Sequence, residues 1–183
     1  MNGWRRQGRG AKLRLVGVFD QQEAALLRGL IGQVRTMLVQ RTDDVPVDEL
    51  AELTGLASGH TRPPEDAVLA RLLPDFHRDD PELAAMLRAA REPELVAAKT
   101  EAATVVLDTC PPDGGRAELT PPQADAWLSA LNDVRLALGT TLGVTEDMPD
   151  EPPVDEALAA HLSVYHWLTF VQDALVQSRA AAM

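Results

Sequence analysis

Apolar residues recur along most of the chain at helical spacing, with two short exceptions. In KLRLVGVF (Lys12–Phe19) they alternate, with Leu13 and Leu15 on one side, and the segment closes in β-formers, which predicts a short strand. D-Q-Q-E follows, with Asp20 at the N-cap and Glu23 in the capping-box position. Beyond it Leu26, Leu27, Leu30, Ile31, Val34, Met37 and Leu38 share one face, and Gln22, Arg28 and Arg35 fall opposite. An amphipathic helix therefore runs to about Arg41.

Residues 42–66 are looser. Val47, Leu50 and Leu53 suit a short helix from Pro46 to Leu53, and DELAELTGL imitates a helix-turn-helix, with Ala51 four residues before Gly55. The segment that would read DNA is ASGHTRPPEDAV, broken by Pro63-Pro64, with Arg62 its sole Lys or Arg. A groove-reading helix needs basic and amide side chains along its N-terminal part, so the match is coincidental. A helical stretch follows over Pro64–Leu73. Asp80 then caps a helix with Pro81 at its first position, running to about Arg91. Pro93 starts another, with Leu95, Ala98, Ala102, Val105 and Val106 on one side, ending near Cys110.

PPDGG is a turn, and RAEL is a second strand, short enough to pair with the first and do little more. Thr120-Pro-Pro-Gln123 is another capping box. TEDMPDEPPVDE packs six acids and three prolines into twelve residues, a solvated acidic loop over about 145–156. The last helix extends from about Val154 to Arg179. The pattern predicts a mainly α, single-domain multi-helix bundle with at most a small two-stranded β element (about 12–19 and 116–119). Residues 1–11 form a basic flexible arm and residues 12–183 the helical domain.

Within AWLSALNDVRLALG (Ala126–Gly139), three polar residues stand in a nearly all-apolar helix. With Trp127 at 0° and about 100° per residue, Leu131, Val134 and Leu138 lie within about 40° of it. Alanines cover one flank, and only Asp125, Ser129 and Asp133 mark a polar side, so this is a central helix of the bundle. Arg135 falls between Leu131 and Leu128 on apolar surface, and its guanidinium must find an acceptor or snorkel out. Asp133, about 160° away, cannot serve; Asn132, a turn back, helps orient it. A carboxylate from elsewhere is required, and Asp75, Asp79 and Asp80 are the candidates. These residues are expected to form a helix-tying clamp. A lone arginine without a glycine-rich or basic neighbourhood is poor bait for phosphate.

Charge changes the picture of partners. The net charge is −11, yet residues 1–19 hold Arg5, Arg6, Arg9, Lys12 and Arg14 and no acid, which leaves the other 164 residues at −16. Such a body repels phosphate backbones, which counts against direct DNA binding and favours a protein partner. The single cysteine, Cys110, excludes an intrachain disulfide and suits a reducing cytoplasm. No apolar run reaches the ~18 residues a membrane helix needs, and the start has no apolar h-region of a signal peptide. A cytoplasmic protein without membrane contact is expected.

Catalytic signatures are weak. His161 and His166 share a helix but stand about 140° apart. His77 lies among Asp75, Asp79 and Asp80, although a loop that caps a helix uses such carboxylates anyway. There is no HExxH, CxxC, P-loop or GxGxxG, so neither metal, cofactor nor catalytic residue is expected. Cys110 falls at a helix C-terminus, where the dipole disfavours a thiolate. Its redox option is an intermolecular disulfide or mixed adduct. The rival reading is a small-molecule-binding or hydrolytic enzyme using the 75–80 carboxylates with His77 or Arg135; a structural subunit of a larger assembly is a third. An enzyme needs these groups converging in an open pocket, whereas a clamp buries them in contact.

AWLSALNDVRLALGTTLGV resembles the signature of an actinobacterial family, formerly a domain of unknown function, of AosR-like oxidative-stress transcriptional regulators. RLLPDFHRDDPELAAMLRAAREPELVAAK, VYHWLTFVQDALV and the E-x-x-LL-x-x-L helix near the start extend the resemblance from about Phe19 to Val176. It implies a mostly α domain and a cytosolic, non-enzymatic regulator working with an alternative sigma factor or RNA polymerase. The family's gene neighbourhoods imply a link to cysteine and redox metabolism. Members that sense oxidant through an intramolecular CxxxC disulfide need two cysteines, and this chain has Cys110 alone.

Overall fold

A computed structural model describes residues 1, 3–44, 59–145 and 155–181. The elements are β1 (Arg5–Gln7), β2 (Arg14–Phe19), α1 (Gln21–Asp43), α2 (Ala67–Leu72), α3 (Pro81–Thr109), β3 (Gly115–Leu119), α4 (Pro121–Leu142) and α5 (Glu156–Ala180). A 3₁₀ turn, Gly10–Lys12, joins β1 to β2. The mainly α architecture matches the pattern of the sequence. The short helix over 46–53, the helix-turn-helix imitation and most of the acidic loop lie outside the described residues.

The start of each long helix follows from local chemistry. Asp20 accepts the Glu23 amide at 2.8 Å while the Glu23 side chain accepts the Asp20 amide at 2.9 Å, the reciprocal capping box. Thr120 and Gln123 repeat it at α4, where Pro occupies the first turn. α1 buries Ala24, Leu27, Ile31, Val34 and Leu38 along one stripe. α4 is the centre of the bundle: α1, α2, α3 and α5 all pack on it, and Trp127, Ala130, Leu131, Val134 and Ala137 are buried along its length. Its C-terminus ends on Gly143, whose φ of 65° is the left-handed conformation that glycine adopts without strain.

Two expectations are corrected. Pro93 does not separate two helices, because α3 runs unbroken from Pro81 to Thr109. Proline removes the donor to the carbonyl four residues back, that of Ala89. A helix of this length keeps its course because it packs against α1 on one side and α4 on the other. Gly59 lies directly on that carbonyl; a Cβ there would come within 2.4 Å of the Ala89 oxygen. The loop thus approaches as close as glycine allows.

The second correction concerns the basic arm. Residues 5–7 are not a free tail but the edge strand of a three-stranded antiparallel sheet ordered β1-β2-β3. Arg5, Arg6 and Gln7 pair with Val16, Leu15 and Arg14, and Leu15–Phe19 pair with Leu119–Gly115. Trp4 anchors the arm. Its ring meets Phe19 and Trp127 edge-on at 5.8 and 5.2 Å, and its Nε1–H donates to the Val171 carbonyl at 3.2 Å. Such edge-to-face stacking suits the ring quadrupoles. Gly17 makes room for it, since a Cβ there would fall 2.9 Å from the Trp4 ring.

Candidate functional site

The three polar residues of AWLSALNDVRLALG go separate ways. Asn132 is exposed. Asp133, expected on the polar side, is buried and pairs with Lys99 of α3 at 2.5 Å. Its side of α4 is the one that α3 covers, so the carboxylate is enclosed and the long lysine reaches across to it. Burial pushes the Asp133 carboxyl above its ordinary range, and the Lys99 hydrogen bond and charge oppose that shift without cancelling it.

Arg135 has no carboxylate partner among the described residues. Its Nη1 donates to Gln172 Oε1 on α5 at 2.6 Å, and its guanidinium lies 5.5 Å from the centre of the Tyr165 ring. Gln172 in turn donates to the Leu128 carbonyl at 3.3 Å, tying α5 to α4. The Nε of Arg135 is buried with no partner among the described residues. Arg135 is half-buried, and an amide and an aromatic face suffice for a cation that is not fully desolvated.

Of the carboxylates proposed to clamp Arg135, Asp75 and Asp80 are engaged elsewhere. Asp80 is the N-cap of α3 and accepts the amides of Glu82 and Leu83, both at 3.0 Å. The Asp80 amide itself donates to His77 Nδ1 at 3.1 Å. Asp79 is exposed. Asp75 does hold a buried arginine, but it is Arg88, at 2.6 Å. Asp75, His77 and Arg135 do not converge.

Arg88 is the centre of the clamp. It is 1% exposed and donates to Asp75, to the Leu73 carbonyl at 3.2 Å and to Glu92 one turn along α3. Glu92, 2% exposed, also accepts from Arg41 Nε of α1 at 2.8 Å. Arg41 reaches on to the Arg62 carbonyl at 2.8 Å, and its own carbonyl accepts from His60 Nε2 at 2.7 Å. One carboxylate therefore joins two arginines, and these hold the 73–75 loop and the 60–62 segment against α1 and α3. A buried charge of this kind is tolerated because every side of it is paired.

This cluster was legible in principle. Stepping back from Val106 and Ala103 along the inward stripe of α3 lands on Lys99, Val96, Glu92 and Arg88 at helical spacing. The proline at 93 obscured the stripe by suggesting that it ended there.

Cys110 caps the C-terminus of α3 and is 1% exposed. Burial raises its thiol to about 11, against a lowering by the nearby Arg28 charge. Arg28 donates to the Cys110 carbonyl at 2.7 Å and to that of Leu107, closing the helix end where cations are favoured. An intermolecular disulfide would need a sulfur that this conformation does not expose. Among the described residues no three His, Cys, Asp or Glu side chains gather as metal ligands, and no helix is long and apolar enough to cross a membrane.

The fold and these contacts define a class: a helical protein capped by a small sheet, with its buried charges spent on holding helices and loops together. The chain belongs to the family described as a domain of unknown function, DUF2017, whose model matches residues 1–178. It is 46% identical over 167 aligned residues to the oxidative stress regulator AosR of Mycobacterium tuberculosis, covering 84% of this chain and 77% of the relative. The Mycobacterium bovis protein of that name matches equally. A putative oxidative stress regulator AosR of Mycobacterium leprae is 40% identical over 186 aligned residues, 94% of this chain and 86% of the relative. No solved structure matches the chain.

Proposed function

We propose that this protein is a cytoplasmic, non-enzymatic regulator in the oxidative-stress response that acts through contacts with a protein partner. The observation that carries the reading is the 46% identity, across 84% of the chain, to proteins named oxidative stress regulators. The geometry is consistent with it. Among the described residues Asp75, Asp80, Glu92, Asp133 and Arg88 are committed to caps and ion pairs. The enzyme reading required the 75–80 carboxylates to converge with His77 or Arg135; Asp75 instead pairs with Arg88, the Asp80 carboxylate caps α3, His77 accepts the Asp80 amide and Arg135 contacts Gln172.

A sigma factor or RNA polymerase is the partner to test. The body of the protein is acidic, so a protein that itself binds DNA is an easier target than DNA. With one cysteine, buried and with a raised thiol pKa, the oxidant signal is assigned to another component or to the partner.

Affinity capture from native lysate, with and without oxidant, tests the reading. Recovery of RNA polymerase or a sigma factor supports it. Their consistent absence, with a metabolic enzyme or protease adaptor in their place, overturns it. Cys110→Ser is expected to leave the oxidant response intact, and the native thiol to react with alkylating reagents at neutral pH only after unfolding.

A further inference from the structure

Six of the seventeen basic residues, Arg5, Arg6, Arg9, Lys12, Arg14 and Arg116, lie on the small sheet or the turn that joins β1 to β2. The pairing register sets Arg5, Val16 and Glu118 in one row, Gln7 beside Arg14, and Val18 beside Arg116. These positions alternate with Leu15, Phe19, Ala117 and Leu119, all buried beneath the sheet, so they make its outer face, on which Val16 alone is also buried. Glu118 is the one acid in the three strands, and Arg116 takes it up at 2.5 Å. Among the described residues Arg5, Arg9 and Lys12 have no carboxylate partner.

β1 is also an edge. No described strand pairs with its free side, and such a side offers a row of N–H and C=O groups to another strand. On the inward side of β1 an open groove of about 480 Å³ runs along α5, lined by Trp4, Arg6, Phe170, Ala174 and Gln177 among others. Phe170 is 49% exposed there. The two sides of β1 therefore favour different neighbours. A strand laid along it turns alternate side chains to opposite faces. One set would meet Arg5 and the outer cations; the other would meet Phe170 and Ala174, beside an Arg6 whose guanidinium is turned to the Ala181 carbonyl.

We infer that β1 is a docking edge for an extended segment of a protein partner in which acidic residues alternate with large apolar ones. The inference rests on the reading of the chain as a contact-based regulator and adds the surface and the chemistry it selects. A second copy is a poor occupant, because pairing β1 with itself sets the arginines of RRQ against one another. Nucleic acid is a poor occupant because the residues beyond 19 carry a net −16.

An NMR titration of the full chain with an alternating Glu–Leu octapeptide tests this, alongside a Lys–Leu octapeptide and a single-stranded oligonucleotide. Saturable shifts are expected at the amides of Arg5–Gln7 and Phe170–Gln177, weakening as salt rises. Arg5→Glu and Phe170→Ser, both exposed positions, should each weaken binding by about tenfold with the rest of the spectrum unchanged. Absence of saturable shifts at β1, equal binding of the Lys–Leu peptide, or tighter binding of the oligonucleotide overturns the inference. So does self-association that moves the same amides. The double variant then enters the lysate capture. Undiminished recovery of RNA polymerase or a sigma factor refutes this surface while the regulatory role stands. Failure of the wild type to recover either refutes the role, and the peptide titration still judges the surface.

Discussion

Arg88 and Arg135 stand on neighbouring helices, each among apolar residues, and they are satisfied in opposite ways. Arg88, almost wholly buried, collects two carboxylates and a carbonyl. Arg135, half-buried, settles for an amide and the face of a tyrosine. The difference follows from solvation. A guanidinium that has lost its water must be compensated by negative charge, whereas one that still reaches water needs only orientation. The depth of burial, not the apolar character of the neighbouring sequence, selects the partner.

Breaking the deeper site should have the largest effect. Glu92→Ala leaves Arg88 buried with a single, partly exposed carboxylate and releases Arg41, and should cost about 3–5 kcal/mol in urea denaturation. Glu92→Gln keeps the acceptor oxygen and should cost less. A loss under about 1 kcal/mol for Glu92→Ala would abolish the contrast, since surface pairs are worth that little.

The Lys99–Asp133 pair is intermediate and distinguishable by pH. The folded pKa of Asp133 is raised, so on raising the pH the unfolded chain releases this proton first. Folding then loses the contribution of Asp133 as pH climbs from the ordinary carboxylate value to the raised one. Asp133→Asn cannot titrate. The stability advantage of wild type over this variant should therefore be greatest in acid and shrink toward neutrality, as urea midpoints of both proteins across that range would show. A widening gap would mean that the Lys99 charge outweighs burial.

At Arg135 the expected effect is smaller. Arg135→Met removes one hydrogen bond and a cation–aromatic contact but also an unpartnered buried Nε, and should stay within about 1 kcal/mol of wild type by the same measurement. Asn132→Ala, exposed in mid-helix, should change stability by about 0.5 kcal/mol or less, toward greater stability because alanine is the better helix former. Should Arg135→Met match Glu92→Ala, the two arginines would be equivalent and burial depth would not be the deciding variable.

The helical segments were legible because their signals are local. Capping boxes at Asp20 and Thr120 and the apolar stripe of α1 are written within a few residues of one another, and the structure reproduces them. The central position of α4 was legible too, from apolar residues on almost every side. The arm was misjudged because five cations in nineteen residues read as solvated, while the residue that anchors them is a single Trp4 whose partners beyond Phe19 are Trp127 and Val171, over one hundred residues distant. Asp133 departs from the polar side because it shares the buried stripe of Ala130 and Ala137 and meets Lys99 of α3, while Asp125 and Ser129 stay exposed. Arg135 goes without the carboxylate its apolar setting predicts because Asp75 pairs with the more deeply buried Arg88.

By itself, the sequence determined where most helices start, which faces carry the core, that charge is divided between a basic beginning and an acidic remainder, and that one cysteine cannot make an internal disulfide. Each depends on local hydrogen bonding, side-chain periodicity or simple counting. The tertiary structure decided which charges meet, which are buried, that the beginning joins the sheet as its edge strand, and that Pro93 lies within a helix. Those depend on desolvation and on distances between segments remote in the chain, and both are set only when the helices have packed.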